Sequence, residues 1–220
     1  PRSASSAIVL AATPQIGPPG VTIHFHKRLP MGGGRGGGSS NAATTLLAMN
    51  RLWELNLGED QLAEIGLRLG ADVPVFVRGH AAFGEGVGEK LTPVNPPEDW
   101  FVVLKPECEI NTGKICSEQG LTRDTPKIKI RPAFEGDASR YRNDCEDVVR
   151  KLYPEVNQSL EWLSQFGPAR LTGTGACIFG RFPTESAARI IWESKPSGVT
   201  GFVAKGVNIS PLHKKLTALK

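Results

Sequence analysis

The sequence has few of the features that mark membrane proteins and nucleic-acid-binding proteins. No apolar run among its 220 residues approaches the ~20 residues that a membrane-spanning helix needs, so no membrane partner is predicted. The net charge is only +4, and lysine and arginine are scattered, which argues against a nucleic-acid partner. With 40% hydrophobic and 22% charged residues, the composition is typical of a soluble, globular chain.

Paired cysteines are also missing, which argues against a zinc site or a redox motif. None of the four shows Cys-x-x-Cys spacing. Isolated thiols and the lack of a secretory signal predict a reducing, cytoplasmic location. His24 and His26 share one face of a predicted strand, but no third ligand lies near them, so we expect them to face solvent. The four cysteines are Cys108, Cys116, Cys145 and Cys177.

Hydrophobic periodicity predicts both strands and helices in the first half of the chain. Residues 21–25 alternate between apolar and polar, as in a half-buried strand. A helical stripe follows across 39–56, and a second helical pattern across 57–70 ends at Gly70 as a C-terminal cap. Residues 73–94 have the composition of a strand, a turn and a second strand.

The second half of the chain also mixes the two patterns, without the strict alternation of a parallel α/β fold. The fold class predicted is therefore α+β. The proline-rich segment 94–99 is the expected boundary between a domain at 1–97 and a domain at 98–220. The predicted elements are a strand at 100–106, a helix at 143–166 interrupted near Pro154, a strand–turn–strand unit at 169–182, a helix at 184–194 and a strand at 201–210.

The segment "PMGGGRGGGSSNAATTLL", residues 30–47, places six glycines before two serines and a predicted helix. A flexible linker and an anion-binding loop are the two interpretations. The linker is disfavoured because the glycines join a predicted strand to a helix inside one unit. An anion-binding loop uses glycine for close backbone approach, and the helix, with Ser39 or Ser40 as the N-cap, adds its positive end.

Two well-known phosphate-binding motifs fit this loop poorly. Gly32-x-Gly34-x-x-Gly37 satisfies the dinucleotide fingerprint, but six glycines make that match nearly automatic. The acidic residue expected ~20 positions later would be Glu54, which lies in a predicted helix rather than after a strand. A Walker A loop is excluded because no Gly-Lys-Ser/Thr follows the glycines.

Three segments in the same order resemble the GHMP kinases: "KRLPMGGGRGGGSSNAA", "LGADVPVFVRGHAAFGEGVGE" and "RLTGTGACIFG". The similarity runs from about Val21 to the end of the chain and includes "NDCE" and "GFVAKGVNISPLH". The resemblance implies a ribosomal protein S5-like N-terminal domain, incomplete here, and a ferredoxin-like C-terminal domain. It also implies phosphoryl transfer from ATP to the 2-hydroxyl of the small molecule 4-diphosphocytidyl-2-C-methyl-D-erythritol, in non-mevalonate isoprenoid biosynthesis.

The resemblance also implies roles for particular residues. Asp72 matches the aspartate proposed as the catalytic base; from the sequence alone, a turn or capping aspartate is the alternative. The segments with Thr112 and with Gly173, Thr174 and Gly175 are implied to bind the substrate. Mg²⁺ is implied to arrive with ATP and to have Ser39 or Ser40 as its protein contact, without a dedicated protein cage. The residues implied to bind ATP are Lys27, Pro30, Met31, Gly32, Gly33, Gly34, Arg35, Gly36, Gly37, Gly38, Ser39 and Ser40.

The sequence departs from the family pattern at three places. Arg35 replaces a mid-loop leucine, and Cys116 stands where relatives often carry an aromatic residue that stacks on cytosine. The third departure is the family's opening Pro-x-Lys-hydrophobic-Asn motif and the Tyr-His pair after it, which these residues lack. We therefore expect an N-terminally truncated chain that binds nucleotide but turns over near background, since the family's lysine neutralises the reacting phosphate. The alternative is a non-catalytic nucleotide-binding module, and both a monomer and a homodimer stay open.

Overall fold

The computed structural model describes residues 22–24, 36–126 and 142–218, which form two compact units. The described part of the first unit is 22–24, 36–96 and 207–218, and that of the second is 97–126 and 142–206. Residues 207–218 belong to the first unit, although the sequence analysis placed them in a domain at 98–220. That domain division stays a prediction. Helices and antiparallel sheets make up the described residues, which confirms the α+β class.

Three helices and a hairpin make up most of the first unit. Helix α1 buries Ala42, Ala43, Leu46 and Met49 along one stripe, as its periodicity predicts. The loop after it is fixed by Asn50, whose side chain bonds both the N–H and the carbonyl of Leu57. The elements are α1 (Gly37–Leu52), α2 (Glu59–Leu69), α3 (Val73–Arg78), β1 (Ala82–Glu85) and β2 (Lys90–Pro93), with β1 and β2 antiparallel.

The second unit is a four-stranded antiparallel sheet, in the order β4-β5-β3-β6, with helices packed on it. Its core includes Val102, Leu104, Ile115, Leu160 and Ile178, all almost fully buried. The elements are β3 (Trp100–Lys105), α4 (Thr112–Ser117), α5 (Glu146–Leu152), α6 (Pro154–Ser164), β4 (Ala169–Leu171), β5 (Ile178–Phe182), α7 (Glu185–Glu193) and β6 (Thr200–Lys205). The last helix, α8 (Pro211–Ala218), belongs to the first unit.

The strand predicted at the start of 73–94 is wrong, because residues 73–78 form helix α3. Their β-branched composition favours a strand, but Pro74 lies at the helix start and Gly79, in the left-handed conformation, ends it. Val73 and Val77, four residues apart, are both buried. A Cβ on Gly66 would lie 2.8 Å from Val73, so this glycine allows α2 and α3 to pack closely. The remainder of the segment forms the β1–β2 hairpin.

The predicted N-cap is also wrong. Helix α1 begins at Gly37, two residues earlier than expected, and its N-cap is Gly36 with φ of +62°. Glycine adopts this backbone conformation without the steric cost that a serine would incur. Of the strand predicted at 21–25, the structure describes only 22–24, which have no regular structure.

Candidate functional site

The end of the glycine loop is the start of helix α1. The Ser40 N–H donates to the Gly36 carbonyl at 2.8 Å. The first N–H groups of the helix belong to the residues before Ser40. Such groups have no partner within a helix and, together with the helix dipole, favour an anion. Ser39 and Ser40 lie in this first turn and are partly exposed. Lys27 and residues 30–35, including Arg35, lie outside the described residues.

Gly36, at the end of the glycine loop, packs closely against the Phe76 ring of helix α3. A Cβ on Gly36 would lie 2.9 Å from two ring atoms of Phe76, which is closer than a real Cβ contact. Glycine is therefore required here both by the ring and by the left-handed backbone. The contact joins two segments 40 positions apart in the chain.

Asp72 lies in the turn between α2 and α3. The Gly70 N–H donates to Gly66 at the end of α2, and the Val73 N–H donates to Gly70 at 3.1 Å. Asp72 occupies the N-cap position of α3, yet its carboxylate makes no capping hydrogen bond and is exposed. A carboxylate that does not cap its own helix can accept a proton or a hydrogen bond from a ligand.

The α1 start and the Asp72 turn are neighbours. A Cβ on Gly70 would lie 3.9 Å from Ser39 Oγ, which places the serine hydroxyl beside the turn. The serines implied to meet phosphate and the aspartate implied to act as base therefore belong to one surface of the first unit. Their roles in binding and catalysis stay predictions.

The tip of the β1–β2 hairpin supports the Asp72 turn. Gly88 has φ of +106°, and a Cβ on it would lie 2.3 Å from the carbonyl oxygen of Ala71. The tip is closed by Glu89, whose carboxylate accepts a hydrogen bond from the Val87 N–H at 2.7 Å. Hydrogen bonds from the backbone N–H groups of Glu89 itself and of Val87 lower the pKa of this carboxyl.

The residues implied to bind the substrate meet in the second unit. Thr112 Oγ1 and Thr174 Oγ1 lie 2.9 Å apart, although 62 positions separate them. Gly173 and Gly175 have φ of +50° and +92°, and the Gly175 N–H donates to Thr172 at 2.8 Å. Gly173, Thr174 and Gly175 thus form a turn whose Thr174 hydroxyl meets the hydroxyl of Thr112 at the start of α4. The role of these four residues in binding stays a prediction.

Cys116, the departure from the family's aromatic residue, is exposed in α4. Its carbonyl accepts a hydrogen bond from Arg123 Nη2 at 2.7 Å, and the same guanidinium reaches the carbonyls of Glu118 and Leu121. Arg123 therefore satisfies carbonyl groups at the end of a short helix, as basic residues do there.

Sequence reasoning assigned no role to three residues that shape the site. Gly88 supports the Asp72 turn, and Asn143 and Glu146 bond to the backbone near the Thr174 turn. Asn143 and Glu146 belong to the segment "NDCE", which is part of the resemblance. Their shared partner, the backbone of Leu171, lies 25 to 28 positions later. Only the folded chain shows which backbone atoms they bind.

Residues 22–24, 36–126 and 142–218 contain no cluster of three His, Cys, Asp or Glu side chains that could hold a metal ion. None of their helices has the length and apolar character needed to cross a membrane.

Two family models match the sequence. The GHMP kinases N terminal domain matches residues 3–80, and the GHMP kinases C terminal domain matches residues 130–194. The matched segments contain the glycine loop, Asp72 and the Thr174 turn.

Two curated proteins with similar sequences have the same name. A 4-diphosphocytidyl-2-C-methyl-D-erythritol kinase of Marinobacter nauticus is 91% identical over 215 residues, covering 98% of this chain and 75% of that protein. The kinase of the same name from Hahella chejuensis is 56% identical, over 90% of this chain and 67% of that protein.

Solved structures agree with the sequence comparison. A crystal structure of 4-(cytidine 5'-diphospho)-2C-methyl-D-erythritol kinase matches with a TM-score of 0.75 and 30% identity, over 92% of this chain and 75% of that one. A homoserine kinase from Cytophaga hutchinsonii shares the fold, with a TM-score of 0.59 and 15% identity, over 84% of this chain and 69% of that one. By sequence and by fold, this chain belongs to the 4-diphosphocytidyl-2-C-methyl-D-erythritol kinase family of the GHMP kinases.

Proposed function

We propose that this protein transfers the γ-phosphoryl group of ATP to the 2-hydroxyl of 4-diphosphocytidyl-2-C-methyl-D-erythritol, in non-mevalonate isoprenoid biosynthesis. The observation that carries the proposal is the placement of Ser39, at the start of α1, beside the turn that holds Asp72. A phosphate-binding helix start next to an exposed carboxylate is the arrangement that phosphoryl transfer to an alcohol requires. The 91% identity to a kinase of that name supports the choice of substrate.

The start of α1 binds the phosphates of ATP. Backbone N–H groups of its first turn donate to phosphate oxygens, and the helix dipole favours their negative charge. The hydroxyl of Ser39 or Ser40 would be the protein contact of a Mg²⁺ ion that accompanies ATP, and the ion would neutralise charge on the phosphates. No acidic cage is needed for such an ion, because Mg²⁺ keeps few protein ligands in nucleotide sites.

Asp72 acts on the acceptor hydroxyl. Its carboxylate takes the proton of the 2-hydroxyl as that oxygen forms a bond to the γ-phosphorus, the bond from phosphorus to the β,γ-bridging oxygen breaks, and ADP leaves. The exposed position of the side chain and its lack of a capping bond support this role.

The Thr112–Thr174 pair binds the diphosphocytidyl part of the substrate. The two hydroxyls, 2.9 Å apart, provide donors for diphosphate or sugar oxygens. With an exposed Cys116 in place of an aromatic residue, cytosine loses one stacking partner in this protein.

We also propose that the enzyme works in the cytoplasm, as a monomer or a homodimer.

The decisive test is phosphotransfer from ATP and Mg²⁺ to the diphosphocytidyl substrate. Because the chain covers 75% of the Marinobacter nauticus relative, two proteins are assayed: this chain, and this chain joined to the N-terminal segment of that relative. We expect the joined protein to phosphorylate the substrate at about 1–100 per second. ATP binding without transfer in both proteins would instead identify a non-catalytic nucleotide-binding module.

Replacing Gly37 with valine tests the phosphate site directly. A branched side chain in the first turn of α1 keeps the backbone away from phosphate, so we expect ATP affinity to fall by about tenfold or more. Isothermal titration calorimetry measures the change. Gly120→Val is the matched control, since a Cβ there meets no atom within 4 Å. Equal ATP affinity of Gly37→Val and the parent would contradict the assignment of the loop.

A further inference from the structure

The turn between β4 and β5 is held by two side chains from the "NDCE" segment. Asn143 Nδ2 donates to the carbonyl oxygens of Leu171, at 3.1 Å, and of Gly173, at 2.7 Å. Glu146 accepts a hydrogen bond from the Leu171 N–H at 3.1 Å. The backbone donor and acceptor of Leu171 are therefore both bound by side chains that lie 25 to 28 positions earlier.

These two side chains are themselves fixed. Asn143 Oδ1 accepts a hydrogen bond from the Cys145 N–H at 3.0 Å, so both ends of its amide are bound and its orientation is set. Glu146 begins helix α5, and its other carboxylate oxygen lies 3.8 Å from Arg150. An amide and a carboxylate held in this way can fix a loop, because little of their own rotamer freedom is lost on bonding.

The turn needs such support. Its own backbone contributes two hydrogen bonds here, from the Thr172 N–H to Cys177 and from the Gly175 N–H to Thr172. Gly173 and Gly175 both have positive φ, and glycine loses more conformational freedom on ordering than any other residue. Without the Asn143 bonds, the carbonyl of Gly173, directly before Thr174, loses the side chain that fixes its direction.

We propose that Asn143, together with Glu146, is a positioning residue for the diphosphocytidyl substrate. It holds the Gly173 carbonyl so that Thr174 Oγ1 stays within hydrogen-bond distance of Thr112 Oγ1. The inference rests on the proposed function, since it assigns this turn to the same substrate. Asn143 acts through the turn and not on the reacting atoms.

The test is Asn143→Asp in the joined protein. Aspartate keeps the acceptor for the Cys145 N–H but replaces the donor with an acceptor that faces two carbonyl oxygens, so the turn is released. We expect KM for the diphosphocytidyl substrate to rise by about tenfold or more, with KM for ATP within about twofold, because misplacement near 1 Å is costly. A merely structural role would move both KM values together, or neither.

Two sets of variants keep the test independent of folding. Asn157→Asp is the matched control: Asn157 bonds the side chains of Arg150 and Glu161 but not the turn, and the KM values of this variant are expected to stay at those of the parent. Glu146→Ala is expected to raise KM for the substrate, and Glu146→Gln, which keeps an acceptor for the Leu171 N–H, to recover most of the loss.

Hydrogen exchange separates this inference from the proposed function. We expect the amides of residues 171–175 to exchange at least about tenfold faster in Asn143→Asp than in Asn157→Asp, whether or not the protein has kinase activity. If the parent transfers no phosphoryl group, the proposed function fails while the exchange data still test the attachment of the turn. Unchanged exchange, or substrate and ATP KM values that rise equally, would overturn the positioning role.

Discussion

Replacing Asp72 with asparagine is expected to lower kcat of the joined protein by about 10²–10⁴-fold, the usual cost of losing a general base. An amide cannot accept the proton of the 2-hydroxyl, although it keeps the shape of the side chain. ATP affinity is expected to stay within about twofold, because the proposed phosphate site is the start of α1 and not Asp72. Steady-state kinetics and calorimetry measure the two quantities.

This substitution separates the catalytic role from the turn role that the sequence left open. Asparagine is as good an N-cap as aspartate, so the free energy of unfolding should change by less than about 0.5 kcal/mol. Asp124→Asn is the matched control, since Asp124 is an exposed carboxylate of the second unit. A fall in kcat of less than tenfold, with normal stability, would reduce Asp72 to a turn residue.

Replacing Gly88 with alanine is expected to lower kcat by about 100-fold, even though Gly88 is not among the residues assigned to ATP or substrate. The new Cβ would lie 2.3 Å from the Ala71 carbonyl oxygen, so either the hairpin tip or the Asp72 turn must move. Alanine also pays a steric penalty at φ of +106°. Together we expect a loss of about 2–3 kcal/mol in the free energy of unfolding.

Gly84→Ala, in the same hairpin, is the control. A Cβ at Gly84 would lie 3.7 Å from Leu91, which is an ordinary contact, so kcat should stay near that of the parent. Thermal unfolding is measured on both variants. Kinetics are then measured on both at a temperature below the lower of the two unfolding midpoints. A Gly88→Ala protein that is destabilised but keeps its kcat would show that the hairpin yields and the Asp72 turn does not.

The fold class and the elements with strong local patterns could be predicted from the amino-acid sequence. The stripe in α1, the apolar run of β3 and the interruption at Pro154 reflect periodicity, composition or backbone chemistry within a few residues. The family could also be predicted, because three motifs stand in a fixed order along the chain. All of these signals are local, and a local signal can be read without knowing which segments meet.

The tertiary structure alone decided the conformation of residues 73–78 and the surroundings of the site. Three valines and Phe76 favour a strand locally, but burial of Val73 and Val77 against Gly66 stabilises a helix. Tertiary packing also brings Gly88 against Ala71 and Asn143 against Gly173, although the partners lie 17 and 30 positions apart in the chain. Such contacts depend on how distant segments pack, and no pattern in either segment specifies its partner.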